Sequence, residues 1–87
     1  MRRNIFGEAY CTTFDEMKAE MDDKHVDADD CYADVMADED RPGTYMAEIK
    51  DNDEGNTILW LELYDSKSKM MEDLKLAGFS RDNIIEL

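Results

Sequence analysis

Two strand-like runs joined by a short polar turn constrain the fold of this chain more than any other feature. Residues 44–50 read TYMAEIK and residues 57–64 read TILWLELY, and both runs are rich in the aromatic and branched residues that favour strands. Between them the segment DNDEGN supplies Asp, Asn and Gly, which suit tight turns. The sequence therefore predicts a β-hairpin over residues 44–64.

Two helix start signals follow one another in the first half of the chain. Thr13 and Glu16 match a capping box, and the apolar residues behind them recur at helical spacing, which predicts a helix over 14–24. Asp27 provides a second start and predicts a helix over 28–39. One bent helix over the whole region is the alternative. The apolar side of the second helix would consist of Ala28, Tyr32, Val35 and Met36.

A third helix and two further strands complete the pattern. Ser66 can cap a helix over 67–77, and Gly78 suits its end because glycine readily adopts the left-handed conformation. Residues 2–11 and 83–87 are predicted as strands from their alternating or apolar character. The order β-α-β-β-α-β, with the first helical region split into two acidic helices, is typical of a ferredoxin-like α+β domain. Such a domain has a four-stranded antiparallel sheet with helices on one face.

Composition restricts the classes of function that this chain can have. Its 87 residues predict one domain, and 23 acidic residues against 10 Lys and Arg give a net charge of −13. Such a surface repels nucleic acids and anionic membranes and attracts basic proteins, so we expect neither direct nucleic-acid binding nor membrane binding. Cys11 and Cys31 are too few for a disulfide framework, which favours free thiols and a cytoplasmic location.

Several aromatic residues are expected on the sheet face that the helices leave uncovered. The strand alternation places Phe6, Tyr10, Trp60 and Tyr64 there. Such a patch suits a homodimer or partner interface, because Trp and Tyr dominate interface energies. RNA bases can also stack on sheet aromatics, but the glutamates around these positions oppose phosphate binding. Part of the helical region 14–39 could instead cover this face.

Candidate sites for metals or catalysis are weak. The turn of residues 51–56 resembles the start of an EF-hand loop, but its glycine falls at the fifth position and not the sixth, so an ordinary hairpin turn is predicted. His25 lies among aspartates, yet one His with surface carboxylates is a poor metal site. The chain has no nucleophile motif, phosphate-binding glycine loop or CxxC pair. We therefore expect a protein without catalytic residues, cofactor or metal.

Acidic residues are concentrated between residues 15 and 40, where twelve Asp and Glu face only two Lys. As a helix of about 39 Å, this segment would approach the charge density of a DNA strand, which carries about 11 phosphates over that length. Like charges at helical spacing destabilise a helix, so the arrangement suggests a use. The alternative is that the acidity reflects drift in an acidic proteome. The residues expected to bind a partner are Asp22, Asp23, Asp27, Asp29, Asp30, Asp34, Asp38, Glu39 and Asp40.

The acidic segment predicts a small inhibitor that occupies a basic DNA- or RNA-binding site on a partner protein. In size and charge the chain resembles the DNA-mimic inhibitors of restriction and CRISPR systems that phages and mobile elements encode. That resemblance implies a cytoplasmic anti-restriction or anti-CRISPR protein. The alternative is a ferredoxin-like interaction or ligand-binding module that dimerises through the aromatic sheet face.

Overall fold

Six β-strands form one mixed sheet in the computed structural model, which describes residues 1–87. Across the sheet the strands follow the order β1-β2-β5-β4-β3-β6. The strand β4 is antiparallel to both of its neighbours, whereas β2 is parallel to β5 and β6 is parallel to β3. The strands are β1 (Arg2–Arg3), β2 (Ala9–Cys11), β3 (Cys31–Ala37), β4 (Tyr45–Asp51), β5 (Thr57–Tyr64) and β6 (Ile84–Glu86).

Two α-helices, α1 (Phe14–Asp23) and α2 (Lys67–Leu76), begin at residues that cap them. The Thr13 hydroxyl accepts a hydrogen bond from the Glu16 N–H at 3.1 Å, and the Ser66 hydroxyl accepts one from Lys69 at 3.2 Å. Each bond satisfies a backbone donor that the first helical turn leaves free. One-turn 3-10 helices precede two strands, at Ala28–Asp30 before β3 and at Arg81–Asn83 before β6.

Each helix links two parallel strands that are not neighbours. The helix α1 connects β2 to β3, which are separated in the sheet by β5 and β4. The helix α2 connects β5 to β6, which are separated by β4 and β3. The two crossovers therefore overlap, and both pass over the same face of the sheet, where they bury its apolar side chains.

The core lies between this face and the two helices. Alternate residues of the central strands, such as Val35, Ile49 and Leu61, are fully buried there. The helices contribute Met17 and Met21 from α1 and Met70 and Leu74 from α2, all of them buried. The opposite face of the sheet carries no helix, and we call it the open face.

The predicted ferredoxin-like fold is wrong. The protein is α+β, but its sheet has six strands and mixed direction where four antiparallel strands were expected. The main cause is the predicted helix 28–39, which is a 3-10 turn followed by β3. The β3 residues CYADVMA also alternate, and all seven pair in register with β4. As a strand the segment buries Cys31, Ala33 and Val35 and avoids the repulsion of helix-spaced aspartates.

Most of the other predicted elements are confirmed with small shifts, and the first predicted strand is not. The hairpin of β4 and β5, the helices α1 and α2 and the last strand lie where the sequence placed them. Gly78 ends α2 at φ 108°, and the Phe79 N–H donates to the Leu74 carbonyl at 3.0 Å. The first predicted strand, 2–11, is two short strands separated by a turn.

Candidate protein-interaction surfaces

One row of side chains crosses the whole open face. The strand registers align Arg2, Tyr10, Trp60, Glu48, Asp34 and Ile85, one residue from each strand. The Tyr10 and Trp60 rings stack with centroids 6.2 Å apart, and the Arg2 guanidinium lies 4.2 Å from the Tyr10 centroid. The Trp60 Nε1–H donates to Glu8 at 3.1 Å. The predicted outward positions of Tyr10 and Trp60 are therefore confirmed.

Charged groups on the open face are paired within the chain. The Lys50 Nζ lies 3.1 Å from Asp34 and 3.6 Å from Glu48, and Thr57 donates a hydrogen bond to Glu48. Arg2 donates to both carboxylate oxygens of Glu62, at 2.7 and 2.8 Å. A third aromatic, Tyr32, pairs with Lys50 across the two strands, and the Lys50 Nζ lies 5.8 Å from its ring centroid. The open face is therefore a network of ion pairs among three aromatics, and most of its charged groups already have a partner within the chain.

Two of the four aromatics predicted for the open face lie elsewhere. Leu63 adopts φ 64°, a left-handed conformation that interrupts the strand alternation, so the Tyr64 side chain turns to the helix side. Tyr64 is buried and donates to Asp73 at 2.6 Å, and burial is the main reason why the pKa of its hydroxyl is raised. Phe6 lies in the β1–β2 turn, where it is 78% exposed. The expectation for Tyr64 is wrong, and Phe6 belongs to a different surface.

The acidic residues gather at one end of the sheet, where α1 ends, β3 begins and β4 turns into β5. The backbone N–H of Asn52 donates to the Asp30 carbonyl at 2.9 Å, and the Asn52 side chain donates to the Asp29 carbonyl at 3.3 Å. Lys24, which follows α1, donates to the Ile58 carbonyl at 2.6 Å. We call this surface the acidic end and define it by Asp22, Asp23, Asp27, Asp29, Asp30, Asp51, Asp53 and Glu54.

None of the eight carboxylates of the acidic end forms a salt bridge within the chain. The nine ion pairs involve other acidic residues, such as Glu20, Glu62 and Asp73. The pKa of the buried Cys31 thiol is raised to about 11. Burial is the main cause, and the negative charges of Asp30 and other nearby aspartates raise the pKa further. The acidic end is therefore a region of unneutralised charge.

The acidic residues predicted to bind a partner lie in three separate places. Some belong to the acidic end, one lies on the open face, and three lie in the turn between β3 and β4. Asp34 lies on the open face and is paired with Lys50. Asp38, Glu39 and Asp40 lie in the β3–β4 turn, at the opposite end of β3 from the acidic end. Asp38 is buried, and its carboxylate lies 3.5 Å from Arg41. A single helical stripe with the length and spacing of a DNA strand is therefore ruled out.

Neither candidate metal position has its side chains grouped around a common point where an ion could bind. In the 51–56 turn, Asp51 accepts backbone N–H groups of Glu54, Gly55 and Asn56 at 2.6, 3.2 and 3.2 Å, and these donors lower its pKa. The Asp51 carboxylate is thus bonded to the backbone of its own turn, which is an ordinary hairpin turn as predicted. His25 is exposed, at φ 55°, and follows Lys24, the C-cap residue of α1. No group of three His, Cys, Asp or Glu side chains is arranged to hold a metal ion.

Asp22 and Asp23 lie in the last turn of α1, which contains no basic residue. The negative end of the helix dipole disfavours carboxylates there by about 0.5 kcal/mol each. We expect Asp22→Asn with Asp23→Asn to raise the free energy of unfolding by about 1 kcal/mol, measured by urea denaturation. The matched control, Asp15→Asn in the first turn of α1, is expected to lower it. Equal effects of the two changes would contradict the dipole explanation.

Sequence reasoning missed two buried carboxylates that hold the N-terminal hairpin. Arg3 donates to Glu20 of α1 at 2.8 and 2.9 Å, while Arg2 on the other side of β1 holds Glu62. Glu20 and Glu62 are only 3% and 5% exposed. The burial of Glu20 could have been inferred from the sequence, because Glu20 lies between Met17 and Met21 on the apolar side of α1.

Neither α1 nor α2 has the length and the apolar composition that a membrane-spanning helix requires. Comparison of the chain with protein-family models, with curated proteins and with solved structures gives no match.

Proposed function

We propose that this protein is a non-enzymatic, cytoplasmic binding protein whose acidic end docks on a basic nucleic-acid-binding site of another protein. By occupying that site it competes with DNA or RNA, as an anti-restriction or anti-CRISPR inhibitor would. The observation that carries the proposal is the grouping of eight carboxylates without ion-pair partners at one end of the sheet.

The distribution of ion pairs supports a specific surface over general acidity. Residues 22–30 and 51–54 hold eight Asp or Glu and one Lys, although they are a small part of the chain. Elsewhere the four fully buried acids, Glu20, Asp38, Glu62 and Asp73, each have a basic partner. A concentrated, unneutralised charge raises the rate of encounter with a surface of opposite sign.

The acidic end is also costly to the fold, which supports a use for it. Asp22 and Asp23 oppose the dipole of α1, and the three aspartates around the Ala28–Asp30 turn repel one another. Solubility alone needs a net charge of only a few units. A basic partner would relieve this repulsion on binding.

The test is to neutralise Asp27, Asp29 and Asp30 together as Asn, because their side chains make no hydrogen bond or ion pair in the protein. We expect the triple variant to bind a captured DNA- or RNA-binding partner at least about tenfold more weakly at low salt, with a shallower dependence on salt. The measurement is a pull-down at low and high salt, followed by titration of the purified partner in competition with its nucleic acid.

A matched control removes the same number of charges elsewhere. Asp65→Asn, Glu72→Gln and Asp82→Asn change three exposed acids that form no salt bridge and lie outside the acidic end. This control is expected to keep most of the affinity. If both triple variants bind alike, or if nucleic acid does not compete, the acidic end is not the docking surface.

The contacts of the open face give less support to the alternative, a dimer formed through aromatics. Of the four aromatics predicted for this face only Tyr10 and Trp60 lie there, and the Trp60 N–H already has an acceptor in Glu8. A further aromatic on the face, Tyr32, is in contact with Lys50 of the same chain. The surrounding charges are paired within the chain, so a second copy would gain few new ion pairs. We therefore propose the acidic end as the interaction surface.

A further inference from the structure

The β1–β2 turn displays two large apolar side chains to solvent. Ile5 is 94% exposed and Phe6 is 78% exposed, more than any other large apolar residue of the chain. Neither side chain belongs to the core cluster. The other two Phe residues contact the core, since Phe79 is buried and Phe14 is partly buried against it. Two adjacent apolar side chains that are this exposed are typical of a contact site for another molecule.

The turn is held in one conformation by its own polar groups. The Asn4 side-chain oxygen accepts the backbone N–H groups of Phe6 and Glu8, each at 3.0 Å, and the Asn4 amide donates to the Glu8 carboxylate at 2.8 Å. Arg3 donates to the Gly7 carbonyl at 3.1 Å. A turn fixed in this way loses little conformational entropy when its apolar side chains bind a partner.

The turn lies at the same end of the sheet as the acidic end. Ala9 pairs in parallel with Leu59, so the turn that precedes Ala9 lies beside the start of β5. The carbonyl of Ile58, at that start, accepts the hydrogen bond from Lys24 after α1. Arg3 links the hairpin to Glu20 on α1. The apolar pair and the unneutralised carboxylates therefore lie at the same end of the sheet.

We propose that Ile5 and Phe6 are the apolar anchor of the acidic end and insert into an apolar patch rimmed by Lys and Arg on the partner protein. This inference rests on the proposed function and adds the chemistry of the partner site. Interfaces derive most of their affinity from a few buried apolar or aromatic anchors, whereas charged rims steer the encounter. A second copy does not fit as occupant, because every copy carries a net charge of −13.

The probes are two synthetic peptides of the same length and charge, one of Lys and Leu and one of Lys and Ser. We expect the protein to bind the Lys–Leu peptide at least about tenfold more tightly, measured by fluorescence anisotropy, because only this peptide offers apolar surface within a basic rim. Ile5→Ser with Phe6→Ser should abolish the preference. Leu76→Ser, which changes an apolar residue of α2 that is 73% exposed, should preserve it.

The outcomes separate this inference from the proposed function. If the Ile5→Ser, Phe6→Ser variant keeps the preference while the Asp27, Asp29, Asp30 variant weakens both peptides, the anchor is overturned and the acidic docking surface stands. If the triple Asn variant binds both peptides as the unaltered protein does, the proposed function fails. If the unaltered protein binds phosphatidylcholine vesicles and the double Ser variant does not, the two side chains bind lipid. The proposal that they bind a protein partner is then overturned. Amide chemical shifts of Ile5 and Phe6 show whether the peptide contacts the turn.

Discussion

Arg3→Ala is expected to lower the thermal unfolding midpoint by about 10 °C. Without Arg3, the Glu20 carboxylate keeps its buried position but loses two short hydrogen bonds, at 2.8 and 2.9 Å, and retains only Lys24 at 3.5 Å. Removing one partner of a buried ion pair costs far more than removing a surface charge, and partial exposure of Arg3 reduces that cost. Calorimetry or circular dichroism measures the midpoint.

The same ion pair predicts a dependence on pH. The hydrogen bond from Arg3 is the main reason why the pKa of Glu20 is lowered in the folded protein. A carboxyl with a depressed folded pKa contributes stability above its unfolded pKa of about 4.3, and this contribution is lost as the pH falls through the folded value. Below that range, Arg3→Ala and the unaltered protein should therefore converge in stability.

Arg81→Ala is the control for loss of an arginine, because Arg81 forms no salt bridge and is exposed. It should change the midpoint by no more than about 2 °C. Two results would show that the contact with Glu20 does not hold the hairpin. One is an Arg3→Ala variant with the same unfolding midpoint as the Arg81→Ala control. The other is a stability difference between Arg3→Ala and the unaltered protein that is as large at pH 3 as at pH 7.

Asp73→Ala is expected to lower the free energy of unfolding by about 2–3 kcal/mol, measured by urea denaturation. Asp73 is 4% exposed and accepts the hydrogen bond of the buried Tyr64 hydroxyl at 2.6 Å. Its removal leaves that hydroxyl without an acceptor in a place where water is largely excluded. Tyr64→Phe alone should cost less, about 1 kcal/mol, because Asp73 keeps Lys69 at 3.0 Å.

A double-mutant cycle isolates the Tyr64–Asp73 interaction. In the Tyr64→Phe, Asp73→Ala variant no hydroxyl is left unpaired, so the double change should cost at least about 1 kcal/mol less than the sum of the single changes. Lys69→Ala is the control for the exposed partner of Asp73, and a small effect is expected there. Additive costs would mean that the Tyr64 hydroxyl does not depend on Asp73.

Local signals in the sequence were sufficient for the helices and the central hairpin. The caps at Thr13 and Ser66, the glycine stop at Gly78 and the DNDEGN turn each act within a few residues, so the sequence states them directly. They predicted α1, α2, β4 and β5 close to their observed bounds. The packing of both helices on one face follows from their apolar residues.

The segment 28–39 was misassigned because it satisfies two periodicities. Tyr32, Val35 and Met36 recur at helical spacing, while Cys31, Ala33 and Val35 alternate as in a strand. Pairing with β4 on one side and β6 on the other decides in favour of the strand, and those partners are distant in sequence. The change to a strand also separates Asp34 from Asp30 and supplies Lys50 as its neighbour.

The candidate site was predictable only in part. Counting charges along the sequence identified the acidic residues from Asp22 to Asp30. The acidic residues of the 51–54 turn join them only because Cys31 pairs with Asp51, which places this turn beside the start of β3. Burial of Tyr64 follows from the left-handed conformation of Leu63, which no sequence rule suggests for a leucine. The exposure of Ile5 and Phe6 depends on a turn inside a segment predicted as one strand.

The overlapping crossovers affect the order in which the protein can fold during synthesis. Ala9 pairs with Leu59 and Ala33 pairs with Ile84, so both parallel contacts join residues about fifty positions apart. While the nascent chain ends before β4, the strands β2 and β3 have no neighbour between them and cannot form the sheet. Closing such long loops costs entropy before any contact compensates for it, so we expect folding to be cooperative and late, after β6 has left the ribosome.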